Sequence, residues 1–313
     1  MSKRSVFDAG PMAWATGLGH RSYRRALEAE KSHPPLGEIV TIDGTNVHFH
    51  RQGHGPAVIL IHGAGGNLRD MTFQLAAKMA ARNEVIAFDR PGHGYTDCLH
   101  HRGESPAEQA DLLHAACLKI GLKSAIICGY SLGGAVALAW ALRQPEFVRG
   151  LLLISAVTHP WPGKIGTLYS TAAHPLTAPF VIPALSVFAS DTMVQSTVQS
   201  VFHPKLAPDG YLEYVGAGLS LRPHSIRANA RQVWRLRAHM VEMAKHYPRL
   251  TLPIEALHGD DDRSVYAEIH AQQLAATLPQ VIYTALPGIG HSPHHHSHDE
   301  ILAALARLNA LRG

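Results

Sequence analysis

The sequence predicts an α/β fold, with a mostly parallel central sheet flanked by helices and interrupted by one helical insertion. Two observations lead there. Short apolar runs alternate with helical periodicity along most of the chain, as buried parallel strands and their crossover helices do. Between Ala156 and about Leu250 that alternation stops, and Pro-punctuated, largely helical sequence replaces it. The 313 residues, 46% hydrophobic and 17% charged, suffice for one large domain with an ample core.

Taken in order, residues 1–35 read as a basic, helical N-terminal extension. They lack the continuous apolar segment of a secretory signal, so the expected location is cytoplasmic. "EIVTIDG" and "NVHFHRQG" form a hairpin about Asp43-Gly44, a pair that suits a tight turn between two strands. The runs "AVILIHG" (57–63), "EVIAFD" (84–89), "SAIICG" (124–129) and "LLLIS" (151–155) read as buried strands. Asn67 can cap a helix starting at Leu68, with Leu68, Met71, Leu75 and Met79 on one apolar face. After the insertion come "IEALHG" (254–259), a helical stretch over 266–277 and "VIYTALPG" (281–288). The last helix opens where Ser297 and Glu300 have capping-box spacing. The core is thus 36–156 with 251–313, and the insertion is 157–250.

Several function classes are excluded by what the chain lacks. A net charge of +4 comes without a dense Lys/Arg block, which argues against nucleic acid as a partner. No run approaches the roughly 18 unbroken apolar residues of a membrane span. Cys98, Cys117 and Cys128 have no metal-ligand spacing and read as reduced structural thiols. "GAGGN" with Asp89 downstream imitates a dinucleotide fingerprint, but Leu68 stands where the third glycine belongs, so no cofactor is expected. "HSPHHHSH" offers His294, His295, His296 and His298; they read as a loop and first helical turn rather than as metal ligands. Asp89 and Arg90 read as organisers of the turn after their strand.

"GYSLGG" (129–134) lies between an apolar strand and a helix. G-x-S-x-G in that setting makes a sharp turn that lifts the serine above the strand ends and offers the next residue's N–H to an anion. Gly129, Ser131, Leu132 and Gly133 fit the pattern. A serine hydroxyl needs a base and an orienting acid. Loops after later strands supply candidates: Asp260, Asp261 and Asp262 in "LHGDDDRSVY", and His291 in "LPGIGHSP".

With "HGAGGN" (62–67) and "DRPGHGYTD" (89–97), these motifs stand in an order and spacing that resembles the α/β-hydrolase superfamily, from about Gly37 to Gly313 apart from the insertion. The resemblance implies an α/β-hydrolase fold with Ser131 as nucleophile and His291 as general base. Counted from Gly259, the family's G-x-x-D-x-x-V pattern selects Asp262 as the acid, with Asp260 next in line. The resemblance also implies an oxyanion hole built from the Ala64 and Leu132 amides, with Gly65 close behind Ala64. The insertion 157–250 resembles the cap, or lid, of such proteins. Within it "HPLTAPFVIPALSVF" suggests an apolar substrate wall, while Arg227, Arg231 and Arg235 share one helical stripe read as a solvated face.

The function expected is a serine hydrolase of the carboxylesterase kind, acting on a small or medium, largely apolar acyl substrate without cofactor or metal. Carbon–carbon bond hydrolase, thioesterase, lactonase and perhydrolase are alternatives on the same scaffold. Dehalogenase and epoxide hydrolase relatives place Asp where Ser131 stands. Carbon–carbon hydrolases commonly carry an aromatic residue after the histidine, where this chain has Ser292. A receptor-like ligand-binding protein is the alternative of another class.

Overall fold

The computed structural model describes residues 17–163 and 166–311. Residues 1–16 of the expected N-terminal extension lie outside that range. The described part begins with a helix, Leu18–Ser32. Eight strands follow: β1 (Glu38–Ile42), β2 (Thr45–Gln52), β3 (Ala57–Ile61), β4 (Glu84–Phe88), β5 (Ala125–Tyr130), β6 (Val148–Ile154), β7 (Ile254–Gly259) and β8 (Val281–Leu286). They form one sheet in the order β1-β2-β4-β3-β5-β6-β7-β8. The β1–β2 and β2–β4 pairs are antiparallel, and every other pair is parallel. The architecture is the predicted α/β-hydrolase fold.

Strand alternation explains why both faces of this sheet are covered. Ile59, Ile61, Ile86, Phe88, Ala125 and Ile127 pack into one apolar layer. Their neighbours Val58, Leu60, Val85, Ala87, Ile126 and Cys128 pack into the other. Successive side chains of a strand point to opposite faces, so an unbroken apolar run is what a strand between two helical layers requires. Cys117 and Cys128 are buried in these layers, and burial pushes both thiols above their ordinary range.

Local punctuation matches the sequence in places and departs from it in others. Asp43 and Gly44 both take positive φ, 45° and 82°, as a two-residue hairpin turn needs. The Asn67 side chain accepts from the Arg69 N–H, but the helix it caps breaks into Leu68–Thr72 and Leu75–Met79. Its four apolar residues are nonetheless buried. At the last helix, His298–Ala310, the Ser297 side chain makes no cap bond, so the expected capping box does not form. A complete box sits instead at Ser105 and Glu108, opening the helix Pro106–Lys119.

Between β6 and β7 the chain is helical: Thr167–Ala173, Ala178–Phe188, Asp191–Phe202, two short turns of helix, and the long Pro223–Ala244. The N-terminal helix is fastened to this layer. Arg25 donates to the carbonyls of Val187 and Ala189, and Glu30 pairs at 2.7 Å with the fully buried Arg222, which also donates to the Gly94 carbonyl. Among the described residues no single helix is long and apolar enough to cross a membrane; only the pair Thr167–Ala173 and Ala178–Phe188, bent by 119°, reaches that test together.

Candidate active site

The site gathers at the carboxyl ends of β3, β5, β7 and β8, where open α/β sheets place their crevice. Ser131 follows β5 with φ 52° and ψ −119°, a backbone state that L-residues rarely hold. The neighbouring glycines explain how it is held there. A Cβ on Gly129 would meet the Gly133 carbonyl oxygen at 2.5 Å, and one on Gly133 would meet the Ile61 oxygen at 2.3 Å. Strand, turn and helix Leu132–Arg143 approach too closely for any larger residue.

Ser131 Oγ lies 3.0 Å from His291 Nε2, and His291 Nδ1 lies 2.7 Å from Asp262 Oδ2. The carboxylate accepts the Nδ1–H, which leaves Nε2 to accept from the serine hydroxyl. Asp262 Oδ1 accepts the backbone N–H groups of Ser264 and Val265 at 2.8 and 2.9 Å. His258, buried in β7, donates from Nε2 to the Val265 carbonyl at 2.7 Å and stands 3.2 Å from Asp262 Oδ2. Burial works against the Asp262 charge, but hydrogen bonds from His258 and His291 outweigh it and hold the carboxyl well below the usual range. Asp260 and Asp261 are exposed. Ser131 and His291 keep 7% and 8% of their surface open to the cavity.

The loop after β3 is held by residues that the sequence did not link to it. Arg90, fully buried, donates to the carbonyls of His62 and Gly63 at 3.0 and 2.8 Å. It also donates to Gln109 and to Gln232 on the long helix, at 3.0 and 2.8 Å. Asp89 takes up the Leu68 and Tyr95 amides and His48 Nδ1, at 2.7, 2.8 and 2.6 Å. The Gly65 amide donates to Asn229 Oδ1 at 2.8 Å. Gly65 is therefore spoken for, whereas the Ala64 and Leu132 amides have no partner among the described residues, and both residues line the cavity over Ser131.

Replacing Arg90 tests this support. Arg90→Met would remove a donor from four buried acceptors, of which the Gly63 carbonyl keeps the His62 Nδ1–H and three are left unpaired, each at a cost of about 1–3 kcal/mol. Loss of about 4 kcal/mol is expected, read as a lower urea midpoint at unchanged slope.

One cavity opens over the serine, and a second shares part of its border. The first, of about 400 Å³, is lined by Ser131, Leu132, His291, Trp161, Val233, Leu236, Ile269 and His270. The other, about 480 Å³, runs past Leu185, Met193, Val194, Val198 and Ile226 to Asp70 and Tyr211. Ala64, Tyr130, Tyr169 and Val201 border both. The wall differs from the one the sequence suggested. Of the run 175–188 only Leu185 faces a lobe; Leu176, Phe180 and Phe188 are 76, 55 and 62% exposed, and Ile182 packs against Ala230. The arginine stripe also divides. Arg231 and Arg235 line a separate cleft of about 660 Å³ with Arg102, His174 and Trp234, and Arg227 lines neither it nor the lobes.

Beneath the larger lobe the histidine-rich turn meets a residue that the sequence did not assign. His294 Nε2, His295 Nε2 and the Tyr211 hydroxyl converge on Asp70 Oδ1 at 3.2, 3.0 and 2.8 Å. The two imidazole nitrogens and the carboxylate oxygen lie within 4.8 Å of one another, close enough to share a metal ion. A metal-bound imidazole needs an acceptor for its other N–H, yet both Nδ1 atoms are buried without a partner. The arrangement suits two imidazoles donating Nε2–H to one carboxylate. Burial opposes the Asp70 charge, and the two histidines more than compensate, holding it well below the ordinary range.

The pH dependence of stability follows from the buried imidazoles. Burial pushes His93 and His270 down to about 3, and His159 and His295 to about 4. Unfolded histidine titrates near 6.5. As pH falls below that value the unfolded chain takes up protons that the folded chain refuses, so stability is lost between about pH 6.5 and 4. Each group contributes at most about 1.4 kcal/mol per pH unit, and the four together rival a domain's whole margin of about 5–15 kcal/mol within two or three units. Asp70 and Asp262, with depressed values, keep their contributions until pH falls below about 4. An acid-unfolding midpoint near pH 5, followed by circular dichroism, is expected; full stability at pH 4 contradicts it.

Comparison with known proteins accords with this geometry. Residues 56–297 match the alpha/beta hydrolase fold family, and the chain belongs to that family of hydrolase enzymes. The pimeloyl-[acyl-carrier protein] methyl ester esterase of Vibrio vulnificus is 28% identical over 257 residues, spanning 77% of this chain and 90% of that protein. An uncharacterised protein of Mycobacterium tuberculosis is 29% identical over 273 residues, spanning 84% of this chain and 77% of its own length. Among solved structures, a thermophilic esterase from Thermogutta terrifontis superposes with a TM-score of 0.70 at 21% identity, covering 88% of this chain and 100% of that one.

Proposed function

We propose that this hydrolase cleaves a carboxylic ester of largely apolar character through an acyl-enzyme on Ser131. The observation that carries the reading is the bonded series Ser131–His291–Asp262 at the floor of a cavity. Ser131 attacks the carbonyl while His291 Nε2 takes its proton, later returned to the leaving alcohol. Asp262 holds the Nδ1–H and stabilises the imidazolium. The Ala64 and Leu132 amides receive the oxyanion, and water activated by His291 releases the acid. Residues 157–250 act as the cap, supplying most of the apolar wall. The Vibrio relative is named for a methyl ester, which supports a small leaving alcohol. Among the described residues no Lys or Arg lines either lobe, which favours an uncharged acyl chain.

An acyl-length series of esters, with matched thioesters and lactones, tests the reading. Each methylene buried adds about 0.8 kcal/mol, so kcat/KM should climb roughly three- to fourfold per carbon until the lobe fills. A flat series with a salt-sensitive preference for anionic esters would move the substrate to charged metabolites. Tight binding without multiple turnover would make the protein a receptor.

A further inference from the structure

His270 stands in the smaller lobe with one nitrogen already committed. Its Nδ1 accepts the backbone N–H groups of Thr158 and His159, each at 3.2 Å, and its own carbonyl accepts the Thr158 hydroxyl at 2.9 Å. Two donors on one ring nitrogen require that nitrogen to be unprotonated, so the proton sits on Nε2. The ring is 97% buried by its 3% exposure, it borders the lobe that contains Ser131 and His291, and its Nε2 has no partner among the described residues. Nor is Nε2 among the atoms sealed from solvent without a bond, and the ring it belongs to borders the cavity. Burial foremost, then the neighbouring His258 and His159, keeps the ring neutral, with a value pushed down to about 3.

We propose that His270 Nε2–H is a substrate-recognition donor, and that the ester cleaved at Ser131 carries a second, uncharged oxygen acceptor, a ketone, ether or ester, on the side that occupies this lobe. The inference rests on the ester-cleaving reading of the site. The lobe around this donor carries no Lys, Arg, Asp or Glu; Val157, Val233, Leu236 and Ile269 line it together with Trp161, Tyr169, Ser264 and Tyr266. A carboxylate there would meet no Lys or Arg, and a buried charge without a counter-charge is strongly disfavoured. A plain alkyl group would leave the N–H without a bond. A neutral oxygen satisfies both conditions.

Two matched pairs test it: a methyl keto ester against its methylene isostere, with the oxygen in the acyl chain, and a methoxyethyl ester against the matching butyl ester, with the oxygen in the alcohol. The wild-type enzyme should favour the oxygen-bearing member of one pair by about tenfold in kcat/KM, the usual scale for one well-formed neutral hydrogen bond. His270→Asn keeps an acceptor where Nδ1 stood and removes the donor, so that ratio should fall to near one. His270→Gln places an amide N–H where Nε2 stood and should recover part of the preference. The same pairs titrated into Ser131→Ala protein, followed by tryptophan fluorescence with Trp161 in the lobe, read the preference without turnover. If hydrolysis fails but the binding ratio holds, the reaction is misassigned and the subsite stands. A wild-type ratio near one for both pairs, or a ratio that His270→Asn leaves unchanged, overturns the proposal.

Discussion

Ser131→Ala is expected to lower kcat by about a millionfold, the scale on which loss of a triad nucleophile removes the covalent route. The Ala64 and Leu132 amides remain in such a variant, so residual catalysis above water is expected too. The substitution removes only an oxygen at a position already strained at φ 52°, and the fold should persist with an unchanged circular dichroism spectrum. A fluorophosphonate should label Ser131 in the wild type, one equivalent per chain, with activity lost in proportion. Labelling at another serine, or activity surviving in Ser131→Ala, would exclude the mechanism.

Asp262→Asn is expected to cost about ten-thousandfold in kcat. The reason is directional. The oxygen that accepts the Ser264 and Val265 amides must stay an oxygen, so the asparagine NH₂ is forced toward His291. Nδ1 then has to accept rather than donate, Nε2 carries the proton, and Ser131 faces a donor instead of a base. Asp260→Asn and Asp261→Asn alter exposed carboxylates and should change kcat less than about twofold. Kinetics of the three variants side by side decide the matter, since a severe loss in Asp260→Asn would shift the acid by two residues.

What could be read directly from the chain was local. Ile59, Ile61 and their alternating neighbours announce a strand covered on both faces, and Gly129 to Gly133 announce a turn, because each pattern spans only a few residues. Side chains that meet across the fold leave no such trace. Arg90 reaches Gln232 across 142 positions, Asp70 meets His294 across 224, and Gly65 meets Asn229 across 164. Hydropathy also reports how apolar a segment is and not which way it faces. Phe180 and Phe188 point outward, while the lobe wall comes from Met193, Val194 and Val198 on a helix whose sequence is less apolar. The spacing of Ser297 and Glu300 was right for a capping box, but Ser297 takes φ −121° and ψ 49° rather than the extended conformation its side chain needs.

The long helix Pro223–Ala244 touches both ends of the chemistry. Val233 and Leu236 line the smaller lobe, while Asn229 holds the Gly65 amide and Gln232 holds Arg90, which in turn grips the His62 and Gly63 carbonyls just before Ala64, the proposed oxyanion donor. Seating a substrate against the first pair of residues therefore bears on the position of the Ala64 amide through the second. On the proposed mechanism, affinity gained far from the reacting carbonyl becomes a force on the amide assigned to the oxyanion, so a truncated ester should forfeit turnover rather than merely bind less well.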